Sequence, residues 1–461
     1  MYNSVNAFIS DWKYESDATL KTLNNLTDDS LKQKVCEAIY AHKEEIITLA
    51  NSIANEPELG FKEIKTSQKI TDLFTKYEIP YTRGHAITGV KAKLQGKSSK
   101  RKIAILGEMD AIICHDHPLA NMETGAAHAC GHNVQMAILA ACAIGLKTSG
   151  VMQELDGDVI PFAVPAEEYV EIEYRNRLKE QGKLKYFGGK SELIRCGDFD
   201  NVDMAMMMHV SMQGEEKRRI DVGGTSNGFI GKMIRFKGKE AHAGSAPHEG
   251  INALNAALIA LTAVNAQRET FRDEDHVRFH PIITKGGDLV NVVPAEICME
   301  SYVRAKTVNA MMDANQKVNR ALKGGAMAIG AEVEINDMPG FLPMINNAAL
   351  TAIYEKNVLE VLGGDSIEHL GHSSGSTDMG DLSHIMPVIH PWFGGGTKGT
   401  VHTREFAVTD NEMAYLLPAI TMATTIIDLL TNQAEQAEEI LQNYQPQMTK
   451  EAYLQFMESI H

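Results

Sequence analysis

The chain has 461 residues, with 44 lysine and arginine against 60 aspartate and glutamate residues, and a formal net charge of −16. This length is too great for a single small core and favours one large domain together with a second one. The acidic balance argues against a general affinity for nucleic acid or for an anionic membrane. Hydrophobic residues make up 44% and charged residues 23% of the chain, as in ordinary folded soluble proteins.

Neither a membrane span nor a secretion signal is expected from the sequence. The longest apolar stretches are broken by charges or glycine well short of the ~20 residues that a span needs. The N-terminus lacks the basic start and apolar run of a signal peptide. Six cysteines are scattered without the spacing of a disulfide framework, which favours a reducing, cytoplasmic location: Cys36, Cys114, Cys130, Cys142, Cys196 and Cys298.

Helix and strand patterns alternate through the first half of the chain. Amphipathic spacing predicts two helices, and a strongly apolar run predicts a third, over residues 28–54, 65–77 and 134–147. Apolar runs predict strands over residues 87–95, 102–107, 157–164 and 203–210. This alternation indicates an α/β fold in which helices cover a sheet.

A different order of elements follows, over about residues 228–335. Strands are predicted over 230–238, 279–285, 294–305 and 331–336, and helices over 250–269 and 308–329. This order suits a compact four-stranded α+β unit inserted in the larger domain. We therefore predict a main domain formed by residues 1–225 and 339–461, which ends in a long helix over 409–442, and an inserted domain of residues 226–338.

The segment from His128 to Asn133 joins a thiol and two imidazoles in a short loop. Cys130 and His132 could both face one metal ion, at about 2.3 Å for sulfur and about 2.0 Å for nitrogen. Alternatively, Cys130 is a small buried hydrophobe and the histidines are surface or helix-capping residues. The metal interpretation gains support from the loop after strand 102–107, because active sites of open α/β sheets lie at the carboxyl ends of strands. That loop carries Glu108, Asp110, His115, Asp116 and His117.

Two adjacent carboxylates, Glu167 and Glu168, follow the next buried strand. Such a pair can serve as one metal ligand and one general base, because a metal lowers the pKa of a bound water to about 7. The alternative is a helix N-terminus with acidic residues in its first turn.

Two further histidines follow apolar or glycine-rich segments. His209 closes the apolar strand, where a lone histidine is more often a hydrogen-bonded core residue, and His402 follows the loop 394–396, where it could be a surface residue. Each is weak evidence alone. Five suitable ligands at the ends of four predicted elements together favour a metal centre.

The inserted unit adds three candidates. His242 lies where a strand ends in a turn of small residues, and it could donate a hydrogen bond to a developing oxyanion; alternatively it faces solvent. Asn291 and Arg304 could present an amide and a guanidinium to a substrate carboxylate. A strand-end salt bridge is an equal alternative for Arg304.

The ordered set of motifs resembles that of the aminoacylase and carboxypeptidase metallopeptidase family. The closest similarity is to its amidohydrolase branch, which includes indoleacetyl-amino acid, hippurate and aminobenzoyl-glutamate hydrolases. The motifs are Asn55–Gly60 with Glu63, Glu108–Ala111, His128–His132, Pro165–Glu168, Ala241–Ala243, Asn291–Pro294 and the late His402.

This resemblance implies a catalytic α/β domain with an inserted ferredoxin-like lid that usually dimerises, and a site for two zinc or manganese ions. The implied metal ligands are Cys130, His132, Glu168, His209 and His402. The implied roles of the others are general base for Glu167, an orienting carboxylate for Asp110, oxyanion contact for His242 (from the lid and perhaps from a partner subunit), and substrate binding for Asn291 and Arg304.

Several segments around the pocket depart from the family pattern. Asn133 and Ser374–Asp381 look more like the aminobenzoyl-glutamate hydrolase type. The loop after Ala111 is longer and rich in histidine, and the segment Tyr169–Asp200 is charged and longer than the glycine-rich stretch expected there. Substrate specificity is therefore where the resemblance is weakest.

We expect a metal-dependent amidohydrolase that acts on N-acyl amino acids or similar small amides, probably a homodimer in view of the lid, with no nucleic-acid or membrane partner. A dipeptidase or carboxypeptidase of the same family is the nearest alternative. A binding protein without catalysis and a cysteine hydrolase that uses Cys130 as its nucleophile are alternatives of other classes.

Overall fold

The computed structural model describes residues 30–214 and 217–460. Its helices are α1 (Ser30–Ala41), α2 (Lys43–Ala54), α3 (Ile64–Lys76), α4 (His132–Thr148), α5 (Ile172–Glu180), α6 (Gly189–Cys196), α7 (Ala253–Ala266), α8 (Val308–Ala328), α9 (Ala348–Leu362), α10 (Met379–Ser383), α11 (Leu417–Leu430), α12 (Glu435–Asn443) and α13 (Lys450–Ser459).

The strands, again in chain order, form two larger groups and two short hairpin-like pairs. They are β1 (Tyr81–His85), β2 (Gly89–Ala92), β3 (Arg101–Glu108), β4 (Ile112–Ile113), β5 (Ala126–Ala127), β6 (Gly157–Val164), β7 (Met204–Met207), β8 (His209–Val210), β9 (Arg219–Ser226), β10 (Gly228–Lys237), β11 (Arg278–Lys285), β12 (Glu296–Ala305), β13 (Glu332–Pro339), β14 (Ile367–Ser373), β15 (Val388–Ile389), β16 (Trp392–Gly394), β17 (Thr397–Lys398) and β18 (Ala407–Val408).

A six-stranded mixed sheet, in the order β1-β2-β6-β3-β7-β15, forms the centre of the larger part of the molecule. Strands β6, β3, β7 and β15 are parallel, whereas β2 pairs antiparallel with β6 and with β1. Every residue of β6 and β7 is buried, as expected for parallel strands covered on both faces. The predicted α/β class with a mixed, helix-covered sheet is confirmed.

The strand predicted over 203–210 is wrong in one respect, because it is two strands that belong to different sheets. Strand β7 ends at Met207, and β8 begins at His209 in a second, four-stranded sheet of order β14-β9-β16-β8. Strand β8 pairs with β16 through His209 and Trp392. The continuous apolar run concealed the break, since both short strands are buried.

The inserted unit is the predicted antiparallel sheet of four strands, in the order β11-β12-β10-β13, with helices α7 and α8 packed on it. Strand β12 alternates buried and half-buried side chains along its length, the pattern of a strand with one face against a core. Its core joins apolar residues of both helices and three of the strands. The α+β lid expected from the sequence is therefore present in the fold.

Two predicted helices are interrupted. The helix predicted over 28–54 is broken at His42, whose N–H donates to Ile39 O at 3.2 Å; residues 28 and 29 lie outside the described part of the chain. The helix predicted over 409–442 is broken after Leu430. Asp156 accounts for this break, because its N–H donates to Leu430 O at 2.7 Å and its carboxylate accepts from Gln433 N–H at 3.0 Å.

Within the described residues, Glu412–Leu430 is a helical stretch of 19 residues that is long and apolar enough, by composition alone, to cross a membrane. Of its most apolar window, 94% is buried inside the protein. It packs against α1, α4 and α9, as a central core helix does.

Candidate active site

The candidate catalytic side chains lie where the parallel strands of the six-stranded sheet end. Asp110 follows β3, Glu167 and Glu168 follow β6, and His209 follows the break after β7. The carboxyl ends of neighbouring parallel strands lie at one edge of a sheet, where α/β proteins form their sites. The order β6-β3-β7 therefore brings these segments together.

Gly131 determines how Cys130 and His132 are presented. It lies just before α4 with φ of +80°, in the left-handed region, where glycine has no steric penalty. A Cβ atom at this position would lie 2.8 Å from Val210 Cγ1. The tight turn leaves Cys130 in the loop and makes His132 the first residue of the helix.

The five predicted ligands come together in two groups that share Cys130. One group is Cys130, His132 and His209, the other is Cys130, Glu168 and His402, and the ligand atoms of each lie within 4.8 Å of one another. Cys130 Sγ is 3.1 Å from His402 Nε2 and 3.6 Å from His209 Nε2. His402 Nε2 is also 3.0 Å from Glu168 Oε1.

These groups have donor atoms available for metal ions. His132 Nδ1 lies 2.8 Å from the carbonyl oxygen of Asp110, so the hydrogen is assigned to Nδ1 and a lone pair to Nε2. His132 Nε2 and Glu168 Oε1 are both buried without a hydrogen-bond partner. Thiolate, imidazole and carboxylate are the donors that zinc and similar divalent ions prefer. The residues present therefore fit a divalent transition-metal centre.

Asp110 lies behind the ligands and contacts two of them. Besides its carbonyl contact with His132, its Oδ2 accepts a hydrogen bond from the Glu168 N–H at 2.9 Å. The side chain is fully buried. Asp110 thus orients one ligand from the helix and one from the loop after β6.

The electrostatics of the site favour a thiolate and a basic carboxylate. Burial and Glu168 raise the pKa of the Cys130 thiol, but the imidazoles of His132 and His209 outweigh them and bring it to about 6. For Glu167, burial and the charges of neighbouring carboxylates hold the pKa well above its usual range. A carboxyl whose pKa approaches neutrality can both accept and return a proton.

A cavity of about 690 Å³ adjoins these groups, and Glu167, Cys130 and Arg304 are among its lining residues. Arg304, near the end of β12, donates from Nη1 to Ser376 Oγ at 3.1 Å. Its guanidinium carbon lies 5.5 Å from the ring centroid of Tyr302. Arg304 thus presents a positive charge to the cavity from the inserted unit.

His242 and Asn291 do not join this site within the chain. Both are exposed, and they neighbour each other, since Ala243 N–H donates to Asn291 O at 2.9 Å. Asn291 precedes β12, whereas Arg304 lies near its other end. The 8 residue steps from 296 to 304 span about 27 Å at about 3.4 Å per residue. One small substrate therefore cannot contact Asn291 and Arg304 of the same chain.

The sequence patterns missed a buried lysine, Lys190. It contacts Glu108 at 2.6 Å and also Asp378. Glu108, Glu167 and His132 form a third group whose ligand atoms lie within 4.8 Å of one another. The only available signals were that Lys190 and Asp378 fall in two segments that depart from the family pattern.

Comparisons with known proteins agree with this geometry. Residues 104–427 match the sequence model of peptidase family M20/M25/M40. The Xaa-Arg dipeptidase of Mus musculus is 26% identical over 433 residues, which cover 87% of this chain and 89% of that protein. The N-acyl-L-amino acid amidohydrolase of Geobacillus stearothermophilus is 27% identical over 336 residues, with 70% and 82% covered.

Solved structures share the fold. The Bacillus subtilis YXEP protein, a dinuclear metal binding peptidase from the M20 family, superposes with a TM-score of 0.62 at 22% sequence identity. The alignment covers 88% of this chain and all of that chain, 100%.

Proposed function

Because the chain belongs to peptidase family M20/M25/M40 and is a hydrolytic enzyme, we propose that it cleaves the amide bond of N-acyl amino acids or similar small amides, such as aminobenzoyl-glutamate. The observation that carries this proposal is the pair of donor groups that share Cys130 and adjoin a cavity lined by Glu167 and Arg304.

Two divalent ions, zinc or manganese, are part of the proposal. Cys130, His132 and His209 would hold one ion, and Cys130, Glu168 and His402 the other. When bound, such ions supply Lewis acidity to the substrate carbonyl and to the attacking water. Asp110 would keep His132 and Glu168 aligned, as outer carboxylates of metal sites commonly do.

Glu167 is the proposed general base and acid. It takes a proton from the water as the new carbon–oxygen bond forms, and it returns that proton to the nitrogen as the carbon–nitrogen bond breaks. Both products then carry the correct number of protons. The raised pKa of Glu167 supports this assignment.

Arg304 is the proposed binding group for the substrate carboxylate. A guanidinium binds a carboxylate through two parallel hydrogen bonds, and Ser376 is close enough to Arg304 to contribute its hydroxyl. The volume of the cavity, about 690 Å³, falls in the range typical of sites for small ligands.

A homodimer would explain the exposed positions of His242 and Asn291. Strand β11 is an edge strand, and exposed apolar side chains lie on it and on α7: Ile282, Ile283, Leu258 and Ile259. Such an edge is prone to pair with another chain. We propose that two lids associate there, and that His242 and Asn291 complete the site of the partner subunit.

A dipeptidase is the second candidate function. Asp221 adds a buried carboxylate to the cavity wall, and it pairs with Arg219 at 2.7 Å. A carboxylate is suited to the free ammonium group that a dipeptide has and an N-acyl amino acid lacks. Relatives named as dipeptidases support this candidate.

We further propose a cytoplasmic location and small-molecule substrates, without a nucleic-acid or membrane partner. All six cysteines are free, which suits a reducing compartment. The net charge of −16 would repel polyanions.

Metal content and hydrolysis, measured before and after chelation, test the proposed function. The substrates are acetyl-, benzoyl- and aminobenzoyl-amino acids and matched dipeptides. We expect about two ions per chain, loss of hydrolysis on chelation and its return with Mn²⁺ or Zn²⁺. Glu167→Gln should keep fold and metal but lose most turnover, because it cannot accept the proton.

Three outcomes would contradict parts of the proposal. A metal-free protein without hydrolysis would favour a binding protein. Activity that survives chelation but is lost on thiol alkylation would favour Cys130 as a nucleophile. Faster cleavage of dipeptides than of acyl-amino acids would favour the dipeptidase.

A further inference from the structure

Lys190 is a fully buried lysine at the start of α6, directly behind the candidate site. Its Nζ lies 2.6 Å from Glu108 Oε1 and forms a second ion pair with Asp378. Its backbone N–H also donates to Asp378 Oδ2 at 3.0 Å. The side chains of the three residues are at most 1% exposed. Lys190 therefore ties the end of β3 and the start of α10 to its own helix.

The charges around Lys190 explain why a cation is buried here. Glu108 and Asp378 are buried carboxylates, and an unpaired buried charge is strongly unfavourable. Burial lowers the pKa of Lys190, but the charges of Asp378, Glu108 and Glu167 outweigh it and keep the ammonium protonated. Lys190 thus offsets part of the negative charge that gathers behind the base.

One contact chain leads from Lys190 to a proposed metal ligand. Glu108 Oε2 lies 3.1 Å from His132 Nε2 and accepts a hydrogen bond from Gln135 Nε2 at 2.7 Å. Lys190 and Gln135 together hold both oxygens of the Glu108 carboxylate. The position of this carboxylate against the donor atom of His132 therefore depends on Lys190.

A second contact chain leads to the proposed base. The N–H of Gly189, next to Lys190, donates to Ala166 O at 3.0 Å. Ala166 has φ of +56°, an unusual conformation for alanine that the surroundings must enforce. A Cβ atom at Gly189 would lie 1.6 Å from Pro165 O. The start of α6 is thus pressed against the turn that carries Glu167.

We propose that Lys190 is a positioning residue for the metal centre and its base, acting on His132 through Glu108 and on Glu167 through the start of α6. The proposal rests on the proposed function above. It assigns a shared role to two segments that depart from the family pattern, Tyr169–Asp200 and Ser374–Asp381, since their residues Lys190 and Asp378 meet in this pair. Lys190 itself contacts neither the substrate nor the reacting atoms.

Zinc affinity and steady-state kinetics test this role in three full-length variants. Zn²⁺ is titrated into chelator-treated protein in competition with a chromophoric chelator. Lys190→Met should bind Zn²⁺ about 10–100-fold more weakly than the wild type, the usual effect of removing an outer partner of a metal ligand. Its kcat should fall by about tenfold or more, with little change in KM. The exposed Lys183→Met is the matched control and should resemble the wild type.

The double variant Glu108→Gln with Lys190→Met separates positioning from charge balance. It removes both charges of one pair, so its Tm should recover relative to Lys190→Met, while its Zn²⁺ affinity and kcat should stay low. Wild-type affinity in Lys190→Met, or full recovery in the double variant, would overturn the proposal. If Lys190→Met does not fold, the double variant is compared with Lys183→Met by the same criterion.

Failure of the proposed function would be visible separately. If the wild type hydrolyses none of the substrates, the amidohydrolase proposal is wrong. The Zn²⁺ affinities of the variants still decide whether Lys190 positions the metal-binding groups.

Discussion

Lys232 is a second buried lysine, placed in the inserted unit far from the proposed catalytic chemistry. It lies directly opposite Asp337 in the pairing of β10 with β13, and the two side chains form an ion pair with at most 3% exposure. Asn315 and Asn319 of α8 donate to Asp337 Oδ2 at 2.6 and 2.9 Å. The helix thus completes the hydrogen bonding of a charge pair that the sheet buries.

Removal of one member of this pair should be far more harmful than removal of both. We expect Asp337→Leu to lower the free energy of unfolding by about 3–5 kcal/mol, because it leaves the Lys232 ammonium buried without a counter-charge. Lys232→Met combined with Asp337→Leu should regain most of that loss. Urea denaturation of both variants measures the difference. Equal destabilisation of the single and double variants would show that the pair does not matter through its charges.

At the scale of elements, helices α7 and α8 pack closely because small residues meet between them. Gly325 of α8 is buried, and a Cβ atom there would lie 2.5 Å from both Cα and Cβ of Ala260 in α7. The neighbouring Gly324 is exposed, and its Cβ would meet no atom within 4 Å. Two adjacent glycines of one helix therefore have opposite environments.

Alanine substitutions at these two glycines should change stability in opposite directions. Gly324→Ala should raise the free energy of unfolding by up to about 1 kcal/mol, because alanine favours the helix interior. Gly325→Ala should lower it by about 1–3 kcal/mol, because the new methyl group forces α7 and α8 apart. Thermal unfolding monitored by circular dichroism checks both. A stabilising Gly325→Ala would contradict the close packing of the helices.

At the scale of the whole molecule, the proposed homodimer can be tested by mixing two defective variants. Glu167→Gln lacks the base, and His242→Ala lacks the proposed oxyanion contact. If His242 acts in the partner's site, a mixed dimer has one site with both residues intact. Random exchange of subunits should then restore about a quarter of the wild-type activity, since half of the dimers are mixed and one of their two sites works.

Each variant alone provides the control for this mixing experiment. His242→Ala should lower kcat more than it raises KM, because an oxyanion develops only on the way to the transition state. Mixtures that show no more than the summed activity of the two variants would place His242 in its own chain's site or outside catalysis. Size-exclusion chromatography with light scattering verifies that subunits associate.

The sequence alone indicated most of the candidate site and the class of the fold. Cys130 and His132 are two residues apart, Glu167 and Glu168 are adjacent, and these pairs follow or precede strongly patterned elements. Short-range spacing and strand ends are written in the order of residues, and parallel strands then gather such ends at one sheet edge. The predicted ligands therefore came together without further information.

Tertiary structure alone decided the features that depend on distant residues. Lys190 meets Glu108 and Asp378 across 82 and 188 positions of sequence, and no local pattern can specify such a pair. The strand β12 places Arg304 at the cavity and Asn291 away from it, because a strand is rigid and its two ends are far apart. Burial, pairing across sheets and the distance between the ends of an element arise only when the whole chain packs.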